Sequence, residues 1–95
     1  MRIHLAMGGL AIGLGFYVHL SRVEWMMLVA VIGQVLLAET INTAFEVSID
    51  LITRKASYRA MLGKDLAAAA VLISAIQSLA VGYFLFFDKL CRILL

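Results

Sequence analysis

Ninety-five residues limit the chain to one domain with only a modest soluble core. Hydrophobic residues make up 64% of it, charged residues 15%, and proline is absent; together with a mean hydropathy of +1.04, this is the composition of an integral membrane protein. A net charge of +2 without a basic run excludes a phosphate-tracking nucleic-acid surface, and the lone Cys91 excludes a disulfide framework or thiolate metal site.

The expected architecture is an all-α membrane protein, a single domain over residues 1–95 with three transmembrane helices at about 3–20, 23–52 and 63–87. Ile3 to Leu20 is apolar apart from His4 and His19, and is just long enough to cross a bilayer. Arg2 followed by an apolar stretch also resembles a signal peptide, but no small-x-small cleavage site follows and the next segment is again hydrophobic. Gly9 and Gly13 have a spacing that favours close helix packing. They form no phosphate loop, since no strand precedes them and no Gly-Lys-Ser/Thr ends them. His4 and His19 stand at opposite ends of one span and cannot be joint ligands within a chain.

Ser21 is placed to cap the second helix, with Glu24 completing a capping box and Trp25 as an interfacial anchor. That helix would be roughly 45 Å long, against a hydrocarbon core of ~30 Å. Its last turns should therefore protrude toward water. Within it Glu39, Asn42, Glu46 and Asp50 follow one another at intervals of three, four and four residues. At 100° per residue they share an arc of roughly 80° and extend over about 16 Å. Three carboxylates and an amide on one stripe of a membrane helix are tolerable only against a protein-lined or watery site that holds cations.

Thr53 to Gly63 is the most polar segment, with Arg54, Lys55 and Arg59. Lys64 and Asp65 then open the third helix, where Asp65 would suit the positive end of the dipole. Ala67–Ala70 offer a small-residue face. Three crossings put Arg2, Arg54, Lys55, Arg59 and Lys64 on one side and Arg22, Lys89 and Arg92 on the other. The first side is then cytoplasmic, where ATP is found.

Carboxylates and an amide suit a hard cation such as Mg²⁺, which takes oxygen ligands and keeps waters or phosphate oxygens. Lys64 beside Asp65 suits a nucleotide phosphate, and a less solvated carboxylate could take a proton from an alcohol. Simpler roles exist for several members. Asp50 could cap a helix end, Lys64 could snorkel, and Asn42 could join two helices. Ser48, Ser74, Gln77 and Ser78 read as packing or interhelical bonds. Glu39, a mid-helix carboxylate, has no such cheap role. Acidic stripes also occur in transporters, so a small ion- or proton-conducting oligomer is the rival reading, with a non-catalytic membrane subunit as a third.

The pattern Glu39-x-x-Asn42-Thr43-Ala44-x-Glu46-x-x-x-Asp50, then Lys64-Asp65 and Ala70-Val71-Leu72, resembles the small bacterial lipid kinases: prokaryotic diacylglycerol kinase and its relative undecaprenol kinase. Arg2-Ile3-His4 and Ser21-Arg22-Val23-Glu24-Trp25 add to the likeness. The resemblance implies a homotrimer in the bacterial cytoplasmic membrane that transfers the γ-phosphoryl of Mg-ATP to a lipid alcohol at the cytoplasmic surface. By position, Glu39 looks like the base and Asn42 like its orienting neighbour. Glu46 looks like the metal ligand, and Asp50, Lys64 and Asp65 like nucleotide-side residues. Asn42-Thr43-Ala44 and Ser21–Trp25 look more like the undecaprenol branch. Two departures stand out. The Glu-bearing surface helix upstream of Arg-Ile-His is expected to be missing, and Arg54-Lys55-Ala56-Ser57-Tyr58 lacks the acidic residue and histidine common there. A truncated, non-catalytic relative is the alternative those departures allow.

Overall fold

The computed structural model describes residues 1–53 and 57–95. Its helices are α1 (Arg2–Val18), α2 (Arg22–Ile52) and α3 (Tyr58–Leu94). The expectations attached to Arg54, Lys55 and Ala56 lie outside the described residues.

α1 stops at Val18 because His19 adopts a left-handed conformation, φ 58° and ψ 65°, and its N–H donates to the Gly15 carbonyl. Histidine is among the side chains that tolerate this region. Leu20 N–H bonds the same carbonyl at 3.2 Å, so the chain turns within three residues. Ser21 then starts α2 with the expected capping box: Glu24 N–H donates to Ser21 Oγ at 3.3 Å, and Ser21 N–H to Glu24 Oε1 at 3.0 Å.

Two expectations change. The 17 residues of α1 measure about 26 Å, short of the hydrocarbon core. Among the described helices, only α2 and α3 are both long and apolar enough to cross a membrane. The residues assigned to the end of the first span are instead spent on the turn at His19. α3 also starts earlier and ends later than 63–87, because Ser57 caps it through Ala60 N–H at 3.1 Å. Asp88, Lys89 and Arg92 do not stop it; Lys and Arg are good helix formers, and no glycine or proline follows Gly82. Lys64 and Asp65 therefore sit about two turns inside α3, and the helix-dipole role expected for Asp65 falls away.

α2 and α3 form an antiparallel hairpin that carries most of the tertiary contact, with α1 laid more lightly along both. Three polar links mark its register: Glu24–Lys89 at 3.1 Å, Gln34–Gln77 at 2.8 Å and Asp50–Lys64 at 2.6 Å. Gln77 thus makes the interhelical bond expected of it. The buried residues gather near the α1–α2 turn, where Val18, Leu20, Leu28 and Leu85 pack with Trp25. Gly15 lets Trp25 in: a Cβ there would lie 2.7 Å from Trp25 Cη2 and 3.0 Å from Leu20 Cδ1. Gly9 and Gly13 meet nothing within the chain, whereas Gly8 faces Ile32. The glycines used for intrachain packing are therefore not the pair that the spacing singled out.

The molecule measures 56 × 20 × 16 Å. Large apolar side chains such as Ile3, Phe16, Leu37, Leu72 and Phe84 stand exposed along all three helices. A surface of that kind calls for lipid or further protein to cover it.

Candidate functional site

The first turn of α1 lies beside Glu39, so the last three turns of α2 and the first turns of α3 project beyond it. The acidic stripe occupies this open end. Glu39 is half-buried, with 15% of its side chain exposed. Its Oε1 accepts a hydrogen bond from His4 Nδ1 at 2.5 Å. Its Oε2 is shut from solvent and has no hydrogen-bond partner, and it forms an ion pair with the Met1 amino group at 3.4 Å. One turn on, Asn42 Oδ1 is also buried and unpartnered. A buried acceptor without a donor costs about 1–3 kcal/mol. Two on one face mark a place where a donor from outside the chain belongs.

The hydroxyls of this segment do not fill that need. Thr40 Oγ1 donates to Leu36 O at 2.8 Å and Thr43 Oγ1 to Glu39 O at 3.0 Å. Both hydroxyls are committed along their own helix.

About 16 Å further along α2 from Glu39, Asp50 pairs with Lys64 across the hairpin at 2.6 Å. The pair is well exposed, and exposed ion pairs contribute only about 0–1 kcal/mol. A polyanion can therefore draw Lys64 away cheaply. Glu46, between the two centres, is exposed and makes no hydrogen bond or ion pair with any described residue; the same holds for Asp65. The structure thus joins Asp50 to Lys64, places Glu46 within the electrostatic reach of the same lysine, and leaves Asp65 without a hydrogen bond or ion pair among the described residues. Glu39 and Asn42 form a separate, deeper centre.

No three His, Cys, Asp or Glu side chains converge into a metal cage among the described residues. Mg²⁺ does not require one, since it commonly binds through one or two carboxylates with waters and phosphate oxygens. The exposed Glu46 carboxylate, one turn before Asp50 on α2, fits that mode.

The three helices also enclose an apolar cleft of about 360 Å³. It is lined by Leu14, Leu28, Val35, Leu79 and Phe86, with His4 at the end nearest Glu39. Residue spacing did not single out His4 for this contact. The available signal was a polar residue in an apolar helix, set where a tight turn folds it back onto the acidic stripe.

A family model described as prokaryotic diacylglycerol kinase matches residues 1–86, a span that contains every residue of both centres. The chain belongs to the prokaryotic diacylglycerol kinase family. Over 76 residues it is 43% identical to the undecaprenol kinase of Bacillus subtilis (strain 168), a match covering 80% of this chain and 62% of that protein. The chain thus spans about six-tenths of that relative's length. No solved structure matches it significantly.

Proposed function

We propose that this protein is a membrane lipid kinase that transfers the γ-phosphoryl of Mg-ATP to the hydroxyl of a lipid alcohol. Undecaprenol is preferred over diacylglycerol, in keeping with the similarity to an undecaprenol kinase. The observation that carries the reading is the pair of buried, donorless oxygens, Glu39 Oε2 and Asn42 Oδ1. They lie on the family-matched stretch, and His4, which bonds Glu39, lines the apolar cleft of about 360 Å³.

In this reading the alcohol approaches with its tail among apolar side chains and its hydroxyl toward Glu39. Glu39 Oε2 takes the hydroxyl proton as the oxygen attacks the γ-phosphorus, while Asn42 orients the carboxylate and the hydroxyl. The new O–P bond forms as the bond to the β-phosphate oxygen breaks, and ADP leaves with that electron pair. Lys64, released from Asp50, holds the phosphates, and Glu46 holds Mg²⁺ with Asp50 and Asp65 on the nucleotide side. When bound, Mg²⁺ neutralises phosphate charge and fixes the phosphates in line, which is most of what phosphoryl transfer requires.

Enclosure of the open end falls to further copies of the chain, as a homotrimer in the bacterial cytoplasmic membrane with the site facing the cytoplasm. Incubation of the purified protein in lipid with Mg-ATP and undecaprenol or diacylglycerol tests the proposal. Phosphorylated undecaprenol that disappears on chelation with EDTA is expected. Folded protein that phosphorylates neither alcohol refutes it.

A further inference from the structure

We infer that His4 is a positioning residue for the proposed phosphoryl transfer: its Nδ1–H fixes Oε1 of Glu39, so that Oε2 is the oxygen presented to the substrate hydroxyl. This inference rests on the lipid-kinase reading above and assigns that site a residue from a second helix.

Four observations lead to it. First, the His4–Glu39 contact, 2.5 Å long, joins side chains 35 positions apart. It is the hydrogen bond that ties α1 to the acidic stripe among the described residues. Secondly, both partners are shielded, with 26% and 15% of their side chains exposed. Away from bulk water a hydrogen bond is stronger and holds its geometry better. Thirdly, the contact is one-sided. His4 reaches Oε1 alone; Oε2 makes no hydrogen bond and pairs only with the Met1 amino group at 3.4 Å, one turn from the unpartnered Asn42 Oδ1. Fourthly, His4 itself lines the apolar cleft, so a lipid tail lying there brings its hydroxyl past the imidazole to Glu39.

The consequence is geometric. A glutamate carboxylate rotates broadly about its last side-chain bond, and a free Glu39 would present either oxygen in many directions. Anchoring Oε1 from α1 leaves one defined oxygen for the proton, the kind of alignment that catalysis depends on. The nearest other charged group is the Met1 amino group, 3.4 Å from Oε2. It pairs with Oε2 and not with Oε1, so it does not compete for the anchoring role.

The test uses the full chain in bilayers containing undecaprenol, with diacylglycerol as the second substrate, and compares His4→Leu with His4→Asn. The two replacements have nearly the same shape, but only asparagine can place an N–H where the histidine Nδ1–H lies. His4→Leu should lower kcat on the order of 100-fold, with the KM for ATP within about twofold of the parent. His4→Asn should recover most of that loss. An active parent whose His4→Leu variant keeps its kcat overturns this inference alone; so does a folded His4→Asn variant as impaired as His4→Leu. An inactive parent removes the kinase reading and this inference with it. A second measurement does not depend on the folding of the His4 variants. In the NMR spectrum of the otherwise unsubstituted protein, Glu39→Gln should shift the His4 Nδ1–H signal and leave His19 in place. An unmoved His4 signal contradicts the contact.

Discussion

At the α1–α2 turn, Glu24 accepts the Ser21 N–H at 3.0 Å and faces Lys89 at 3.1 Å, beside the packed Val18, Leu20, Leu28 and Leu85. Some 20 Å along the same helix, Glu39 is hydrogen-bonded through one oxygen only, Asn42 has an unpartnered carbonyl, and Glu46 makes no hydrogen bond or ion pair with a described residue. Both regions carry carboxylates on α2, and both meet α3 through a lysine. One has spent its polar groups on holding the fold, whereas the other has left them open. The difference sets structural charge apart from the charge proposed to be functional more clearly than residue type does: Glu24 and Glu39 are the same amino acid in opposite settings.

Substitutions at the two ends should therefore fail in different ways. The largest effect is expected of Glu39→Gln, which removes the proposed base and should lower kcat by about 10²–10⁴-fold without lowering the thermal midpoint. Steady-state phosphorylation in bilayers and a melting curve on the same sample check both halves. Next comes Lys64→Met, which removes the proposed charge-assisted contact to phosphate, of about 1.5–3 kcal/mol. It should raise the KM for ATP on the order of 10- to 100-fold and change the KM for the alcohol little; an unchanged KM for ATP would move the nucleotide away from this end.

Gly15→Ala belongs to the other region. The added methyl would meet Trp25 at 2.7 Å, and overpacking of this kind typically costs about 1–3 kcal/mol. Gly9→Ala, whose methyl meets nothing in the chain, should cost less in the same denaturant titration. Smallest is Ser21→Ala. Loss of the cap should cost about 1 kcal/mol and leave the kcat of the folded fraction unchanged. A fall in kcat on loss of this cap would blur the separation between the two ends.

Much of this contrast was legible in the sequence because it is local. The stripe follows from helical periodicity acting on Glu39, Asn42, Glu46 and Asp50, and the capping box from Ser21 and Glu24 three residues apart. What spacing could not reveal depends on how helices rotate against one another. Whether Gly8 and Gly15, or Gly9 and Gly13, face a neighbour is set by the rotation of α1. That His4 meets Glu39 is set by the left-handed turn at His19. The early start of α3 was obscured because Ser57 lies in a polar stretch whose charges drew attention to Lys64. Its cap then carries Lys64 and Asp65 into the helix body.

The central claim is that the α2 stripe faces a wet, polar cleft in the assembled membrane protein. It is tested most directly by a nitroxide at position 39 compared with one at position 37, each introduced through cysteine in a Cys91→Ser background. Leu37 is 60% exposed in the chain and points about 160° away from Glu39 at nearly the same depth. The label at 39 should be relaxed by a water-soluble nickel chelate more than by oxygen, and the label at 37 by oxygen more than by the chelate. Oxygen dominance at both positions would place the stripe against lipid and contradict the account.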